Sequence, residues 1–176
     1  MRQLHLISIA IALLLMPLLT APSFSAGKCV AVFDFEMIDM SLDGEINGVK
    51  TKETERLELL TQQLRKWLAG EGGSLSCHMA PVVAEAKASN LFACGCIQRL
   101  ARKVDARLAL VPSVHKLSNL ILNIQVDVFD VESDKLVAQL NADIRSNTDN
   151  SWARGLDWLI EHRLATAMTA LKGGNQ

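Results

Sequence analysis

Two segments of alternating polarity constrain the fold more than any other feature of this sequence. Apolar and polar residues alternate through residues 120–129, and residues 136–145 repeat the pattern. The four residues Val131-Glu132-Ser133-Asp134 between them have the composition of a tight turn. The two segments predict an antiparallel hairpin with one face on a core and the other in solvent. The predicted solvent face consists of Asn123, Gln125, Asp127, Asn141 and Asp143.

Three other segments have the composition of strands. Residues 30–36 and 108–116 are apolar on both faces, which is typical of strands covered on both sides of a sheet. Residues 75–79 are predicted to form a short strand that is ended by Pro81. Together with the hairpin, these segments predict five strands.

Helical periodicity is present in three places. Residues 51–69 have leucines at positions 57, 60, 64 and 68, and Gly70 follows. A second stripe (Ile97, Leu100, Ala101, Val104) predicts a helix whose first turn contains Cys94 to Cys96. Residues 146–151 are cap-forming, and a third apolar stripe continues from Trp152 to Leu171.

The order of these elements, β-α-β-α-β-β-β-α, predicts one α/β domain with a mixed five-stranded sheet packed with three helices. Helical crossovers make the first three strands parallel, and the last three are antiparallel. The strand order expected from this arrangement is 2-1-3-4-5.

The N-terminus has the layout of a secretory signal. Arg2 precedes an apolar run, residues 4–19, and small residues follow, so residues 1–26 are predicted to be a cleaved signal peptide. A lipoprotein signal requires a small residue immediately before its cysteine, but Lys28 precedes Cys29. We therefore expect a soluble periplasmic protein with one domain, residues 27–172, and a flexible tail, residues 173–176.

The charge balance narrows the class of partner. After removal of residues 1–26 the chain has 17 basic and 19 acidic side chains, without basic runs. Nucleic acid and anionic membrane are therefore not expected as main partners, and a periplasmic protein partner is. No familiar catalytic signature is present, so neither an enzyme nor a cofactor is predicted.

Four cysteines, Cys29, Cys77, Cys94 and Cys96, remain after the predicted cleavage. In an oxidising compartment an even number indicates two disulfides. Cys29 and Cys77 lie on strands expected to be neighbours, which leaves Cys94 and Cys96 to each other, although a bridge from the second strand to the C-G-C turn is an alternative. A cysteine at a helix N-terminus can have a stabilised thiolate, so redox activity is a second interpretation beside a structural disulfide.

Two stretches contain candidate metal ligands. Oxygen-bearing side chains recur with the spacing of a calcium loop, with Gly44 at the sixth position, in Asp39, Ser41, Asp43, Glu45 and Asn47. Lys50 stands where such a loop needs a bidentate glutamate, which favours a solvated turn over a Ca²⁺ or lanthanide site. Soft ligands for Cu(I) or Zn²⁺ are supplied by Cys77, His78, Met79, Cys94, Cys96 and His115, without a spacing that makes them converge.

Residues 147–154 are the most distinctive polar stretch. They predict a turn and a helix N-cap, with Trp152 docking the last helix on the sheet. The alternative is a surface that recognises a partner or small ligand through Asn147, Asp149, Trp152 and Arg154.

Three segments also carry a family resemblance: A-V-F-D-F-E (31–36), L-V-P-S-V-H-K-L-S-N-L-I-L-N-I-Q-V (110–126) and I-R-S-N-T-D-N-S-W-A-R-G (144–155). They resemble an uncharacterised family of small secreted bacterial proteins, a domain of unknown function. The family's members are often encoded near quinoprotein alcohol dehydrogenases, which implies a role in periplasmic oxidation of alcohols. The strand order is similar to that of the amino-terminal domain of TolB, whose role is protein interaction, but this likeness is at the level of the fold, which does not determine function.

These observations predict a non-enzymatic accessory or binding protein of the periplasm. The resemblance implies service to a quinoprotein dehydrogenase system. The alternative is a thiol-disulfide or metal-handling protein, with calcium, a lanthanide or copper as the metal.

Overall fold

The computed structural model describes residues 29–70 and 76–173. Its elements are β1 Cys29–Val32, β2 Glu36–Asp39, α1 Leu42–Asn47, α2 Thr51–Ala69, α3 Ala80–Ala88, α4 Leu91–Cys94, α5 Ile97–Lys103, β3 Ala106–Ser118, β4 Ile121–Asp130, β5 Lys135–Ile144, α6 Asp149–Leu159, a π-helical turn Ile160–Leu164 and α7 Ala165–Gly173. The predicted signal peptide and residues 174–176 of the predicted tail lie outside the described residues.

The sheet is mixed and five-stranded, which confirms the predicted fold class. β1 and β2 both run parallel to β3 along the same side of that long strand. β3, β4 and β5 are antiparallel neighbours, and residues 131–134 form the predicted turn of the β4–β5 hairpin. The order of the main path is β1-β3-β4-β5.

The predicted first strand is interrupted, because residues 33–35 separate β1 from β2. The register shifts by one residue across this break, since Val32 is paired with Leu110 but Glu36 with Ser113. The backbone N–H of Phe35 donates to Thr61 Oγ1 of α2 at 2.9 Å instead of continuing the ladder. The Phe33 N–H still donates to the Leu110 carbonyl oxygen at 3.0 Å, so the chain leaves the sheet only after this residue.

The predicted second strand at residues 75–79 is wrong in length. In its described part, Ser76 makes a single parallel bridge with Val30, on the side of β1 away from β3. The helix α3 then begins at Ala80 with Pro81 in its first turn, where the missing N–H of proline costs no hydrogen bond. Pro81 therefore starts a helix here and does not mark only the end of a strand.

Helices are more numerous than the predicted three. α2 and α5 correspond to the first two predicted helices, and α6, the π-helical turn and α7 together form the third. The additional helices in the described chain are α1, α3 and α4. None of the described helices is both long and apolar enough to cross a membrane.

Helices cover both faces of the sheet and bury a separate core on each. α2, α6 and α7 pack on the face that carries Val32, Leu110 and Ile124. α3, α4 and α5 pack on the opposite face, against Phe33 and Val111. The two helical layers lie on opposite faces of the sheet. A crevice lies between them at residues 33–37, where the chain leaves β1.

The polar side of the hairpin is only partly solvated. Asn141 and Asp143 are exposed as predicted, but Asp127 is buried, with 6 % of its surface exposed. Its Oδ1 atom accepts hydrogen bonds from the side-chain amides of Gln125 and Gln139, at 3.1 and 3.0 Å. The two amides cover the carboxylate and satisfy it at the same time.

The last helix keeps one apolar face on the sheet over its whole length. Leu156, Ile160, Leu164 and Met168 are buried at intervals of four residues. In a regular α-helix this interval would rotate the stripe by about 40° each time. The wider π-helical turn Ile160–Leu164 offsets part of that rotation.

Gly155 of α6 marks the closest approach of this helix to the sheet. A Cβ atom at this position would lie 2.4 Å from Ile144 Cγ2 and 3.2 Å from Ile124 Cδ1. Overpacking of this kind costs about 1–3 kcal/mol, whereas alanine gains about 1 kcal/mol over glycine in a helix. We expect Gly155→Ala to lower the free energy of unfolding by about 1 kcal/mol, measured by urea denaturation.

A matched control is Gly70→Ala, since a Cβ atom there lies at an ordinary 3.5 Å from the Lys66 carbonyl oxygen. Its unfolding free energy should stay close to that of the wild type. Equal stability of the Gly155→Ala variant and the wild type would contradict the close approach.

Candidate functional site

A buried lysine organises one end of the sheet. Lys116 of β3 is fully buried on the α2 face, and its ammonium group meets three carboxylates. Lys116 Nζ lies 2.8 Å from Glu53 Oε1, 3.1 Å from Asp39 Oδ2 and 3.4 Å from Asp43 Oδ2. A buried charge requires such partners, because an isolated ion loses its hydration without compensation.

The pKa shifts of Lys116, Asp39 and Asp43 all favour the charged forms of these groups. Burial alone would lower the pKa of Lys116, but its hydrogen bonds to Glu53 and Asp39 outweigh burial and raise it. Burial would raise the pKa of Asp39, but hydrogen bonds from Ser41 and Lys116 lower it. Hydrogen bonds from Lys50 and Asn47 hold the pKa of Asp43 well below its usual range.

The predicted cation loop is folded around this ammonium group. Ser41 caps α1 by accepting from the Gly44 N–H at 3.1 Å, and Asp39 accepts from the Ser41 N–H at 2.9 Å. A Cβ atom at Gly44 would meet the Asp39 carboxyl group at 2.3–2.7 Å, so glycine is needed for this approach. Among residues 29–70 and 76–173, no three or more His, Cys, Asp and Glu side chains are grouped as a metal site would require.

The five candidate ligands of this loop are only partly brought together. Asp39 and Asp43 converge on Lys116, and Ser41 supports Asp39. Asn47 donates to Asp43 Oδ1 at 3.0 Å from the exposed side of α1, where Glu45 is also exposed. Lys50, at the position of the absent glutamate, forms an ion pair with Asp43.

The polar stretch 147–154 reaches the same cluster from the other side. Asn147 Nδ2 donates to Glu53 Oε1 at 2.6 Å. Arg56 of α2 donates to Asn147 Oδ1 at 2.8 Å and to Asp149 Oδ1 at 2.6 Å. Its guanidinium group also lies 5.7 Å from the centre of the Trp152 ring.

The predicted partner-binding residues of this stretch therefore have different environments. Asn147 and Asp149 are held by Arg56, and Trp152 is buried, as expected for a docking residue. Arg154 is exposed and forms no ion pair within the described chain. Thr148 provides the N-cap of α6, accepting from the Ser151 N–H. The hydrogen bonds of Asn147 to Glu53 and Arg56 fix α6 to α2, whereas the Trp152 Nε1 atom is buried without a hydrogen-bond partner in the described chain.

Both predicted disulfides are present. Cys29 is bonded to Cys77, and Cys94 to Cys96, which leaves no free cysteine in the described chain. The C-G-C turn was predicted inside the first turn of a helix, but it lies between two helices. Gly95 has a φ angle of 57°, which glycine adopts without strain, and it separates α4 from α5.

The soft metal ligands do not converge. Met79 is buried in the core with Val82, whereas His78 is exposed. His115 lies on β3, where its Nε2 atom is 3.1 Å from Ser113 Oγ. With all four cysteines in disulfides, no thiolate of the described chain accompanies these histidines.

An open groove follows the second strand. Its larger part, about 690 Å³, lies between residues 33–37 on one side and the helices α2, α3 and α4 on the other. Its smaller part, about 440 Å³, continues from Met37 past Asp39 and Met40 to Val49. Both parts are lined by Met37, Thr54 and Leu57, and we call the whole the edge groove.

The edge groove exposes the free edge of β2. This strand pairs only with β3 within the described chain. The N–H of Met40 donates to the Lys116 carbonyl oxygen at 2.9 Å, so it faces β3. Since peptide groups alternate along a strand, those of Met37 and Asp39 face away from β3 and toward the groove. Such an edge can accept another strand.

Two carboxylates of the groove, Asp34 and Glu36, differ in whether they form ion pairs within the described chain. Asp34 forms ion pairs with Arg65 at 2.8 Å and Lys87 at 3.8 Å. Glu36 is half-buried and forms no ion pair within the described chain. Burial raises the pKa of Glu36, the Leu91 backbone N–H opposes this, and the charge of Asp34 adds to the rise. Glu36 is thus a carboxylate without a counter-ion.

The sequence patterns identified Glu53 only as an irregular substitute for the missing glutamate of the cation loop, and they did not indicate the edge groove, Lys116 or Arg56. One signal was available for Lys116, which occupies a position of the core-facing series Leu108, Leu110, Val114 in an apolar strand. A lysine in that series indicates a buried ion partner. The groove has no comparable signal, because it depends on the break between β1 and β2.

Solved structures with a similar arrangement have low sequence identity to this chain. The LpoB C-terminal domain from Salmonella enterica is 16 % identical, with a TM-score of 0.49, over 72 % of this chain and 88 % of that one. Lipoprotein GNA1162 from Neisseria meningitidis is 13 % identical, with a TM-score of 0.49, over 85 % of this chain and 99 % of that one. The PelC dodecamer from Paraburkholderia phytofirmans is 15 % identical, with a TM-score of 0.39, over 80 % of this chain and 92 % of that one.

No curated protein matches the sequence. A family model does: DUF3280, described as a protein of unknown function (DUF2380), matches residues 28–164. This match covers the edge groove, the Lys116 cluster and the buried residues of both cores except Met168, and it agrees with the resemblance to a domain of unknown function. The chain belongs to the DUF3280 family.

Proposed function

We propose that this protein is an exported, non-enzymatic binding module that captures an extended segment of a partner protein in the edge groove. The observation that carries the proposal is the free edge of β2, which lies open along a groove between two layers of helices. Strand addition supplies backbone hydrogen bonds, and alternate side chains enter pockets on either side. Met37 and Asp39 offer the peptide groups for those bonds.

The surroundings of the groove support a protein partner. Met40 and Val49 line its smaller part and are 60 % and 82 % exposed, and Leu42 and Ile46 of the neighbouring α1 are about equally exposed. A cluster of large exposed apolar side chains is typical of an interaction surface. In contrast, the polar network around Lys116 has internal partners and offers no comparable contact.

Export and the physiological setting are part of the proposal. The signal-like residues 1–26 and the two disulfides support a periplasmic location. The neighbourhood of quinoprotein alcohol dehydrogenases implied by the family resemblance makes a component of such a system the first partner to examine.

The thiol-disulfide alternative has less support. All four cysteines are bonded in the described chain, and none of them lines the edge groove. A metal-handling role would need ligands that converge, and the carboxylates that do converge already surround Lys116.

The test blocks the groove with a bulky side chain. Decapeptides displayed on phage are selected against the wild-type protein, and the selected peptides are synthesised and titrated by fluorescence anisotropy. Thr54 is exposed and lines both parts of the groove, so Thr54→Trp should weaken peptide binding at least tenfold. Glu55→Trp, the next residue on α2, is the control and should bind as the wild type does.

Hydrogen exchange supplies a second measurement. A bound strand should slow exchange of the Met37 and Asp39 amides at least tenfold and leave that of Trp158, on α6, unchanged. Selection of no peptide, or equal binding by the wild-type and Thr54→Trp proteins, would overturn the proposed function.

A further inference from the structure

Glu36 is the one acidic side chain of the larger groove segment that combines partial burial with the absence of an ion pair in the described chain. Asp34 is paired with Arg65 and Lys87, and Glu58 on the α2 wall is exposed to solvent. A desolvated carboxylate is unfavourable unless a cation or hydrogen-bond donors compensate it. The groove therefore has one position where a positive charge from outside would be stabilised.

The register of β2 places this carboxylate beside the strand edge. Glu36 is paired with Ser113 of β3, and its side chain lies on the face that α4 covers, near Leu91. The next residue, Met37, points to the opposite face, where it packs with Leu57 of α2. A strand added to β2 would thus meet a carboxylate on one face and an apolar surface on the other.

The walls around Glu36 suit a long cationic side chain. Phe33, Val83 and Leu91 line the same part of the groove and are apolar. Lysine and arginine lay their methylene groups along apolar surface while the charged end reaches a polar partner. A small inorganic cation would gain nothing from these walls.

We propose that the edge groove selects partner segments that carry a lysine or arginine, whose charged group pairs with Glu36. This inference rests on the proposed function and specifies its sequence preference. The pairing is a charge-assisted hydrogen bond at a partly desolvated site, where it discriminates strongly between a cation and a neutral side chain.

The experiment uses the peptides selected on phage for the wild-type protein. A basic residue should recur at one position of the selected sequences, and its replacement by norleucine should weaken binding at least tenfold. Glu36→Gln should remove the difference between the basic and the norleucine peptides. Glu58→Gln, which also lines the groove, is the matched control and should preserve that difference.

A charge reversal keeps the test independent of any general loss of affinity. Glu36→Lys should prefer peptides in which the basic residue is replaced by glutamate. In the wild-type protein, NMR titration of the Glu36 carboxyl group should give a lower pKa with the basic peptide than with the norleucine peptide. The charged groups near it, Asp34, Glu58, Arg65 and Lys87, are the same in both complexes.

The outcomes separate this inference from the proposed function. Peptides that are blocked by Thr54→Trp but contain no recurring basic residue would overturn the inference and leave strand capture standing. The same conclusion would follow if Glu36→Gln kept the full preference for the basic peptide. Selected peptides that bind Thr54→Trp normally, or no selected peptides at all, would overturn both.

Discussion

Replacing Lys116 with methionine should lower the free energy of unfolding by about 3–5 kcal/mol, because it leaves buried carboxylates without their cation. Methionine preserves much of the length of the side chain, so the change acts mainly through charge. Glu53 is almost fully buried and loses its contact at 2.8 Å, while Asp39 loses one at 3.1 Å. Urea denaturation followed by circular dichroism measures the loss.

Lys50→Met is the control, since Lys50 also contacts Asp43 but its side chain is 39 % exposed. Its effect should be much smaller than that of Lys116→Met. The double variant Glu53→Gln/Lys116→Met should recover part of the loss, because the most buried charge is then removed with its partner. A loss below about 1 kcal/mol for Lys116→Met would contradict the structure of this cluster.

The cluster also predicts how stability depends on pH. The pKa of Asp39 is lowered by folding, so its contribution is present above the ordinary value of 3.8 and is lost as the pH falls through the lowered pKa. The pKa of Lys116 is raised, so its contribution is present below the ordinary value of 10.5 and is lost as the pH rises through the raised pKa. Lys116→Met should remove the alkaline part of this dependence.

Removing the Cys29–Cys77 disulfide should cost about 4 kcal/mol of stability, and removing Cys94–Cys96 only about 1–2 kcal/mol. The bonded residues are 48 apart in the first pair and 2 apart in the second. A longer closed loop removes more freedom from the unfolded chain, which accounts for the difference. The first disulfide also holds the Cys77 N–H at 3.0 Å from the Val30 carbonyl oxygen.

The measurement compares Cys29→Ser/Cys77→Ser with Cys94→Ser/Cys96→Ser by thermal and urea denaturation. Mass spectrometry after alkylation, with and without reductant, confirms which pair remains in each variant. Equal losses in the two double variants would show that loop length does not determine the effect. Reduction of Cys94–Cys96 by mild reductant in the wild-type protein would revive a redox role for that pair.

Local patterns predicted the parts of the fold that depend on neighbouring residues. The alternation in residues 120–129 and 136–145 defined the hairpin, and the leucine spacing defined α2, because each pattern reports one buried face. α3 was missed because its only buried residue is Val82, so no apolar stripe marks it. The break after Val32 was missed because it depends on Thr61, which is 26 residues from Phe35.

The same distinction applies to the candidate site. Asp39, Asp43, Asn147 and Asp149 were recognised as unusual from their local sequence. Their connection through Lys116, Glu53 and Arg56 joins residues up to 94 positions apart, which a single sequence does not reveal. The edge groove depends on a one-residue register shift, so composition and periodicity carry no trace of it.

The ammonium group of Lys116 occupies the position that a dissolved ion would hold in an acidic loop. The chain therefore supplies its own counter-ion. Because this ion is a side chain of the same molecule, every folded molecule contains it. The concentration of a dissolved ion such as calcium changes with the medium around a protein. The ion pairs of Asp39, Asp43 and Glu53 with Lys116 and Lys50 of the same chain do not depend on those changes.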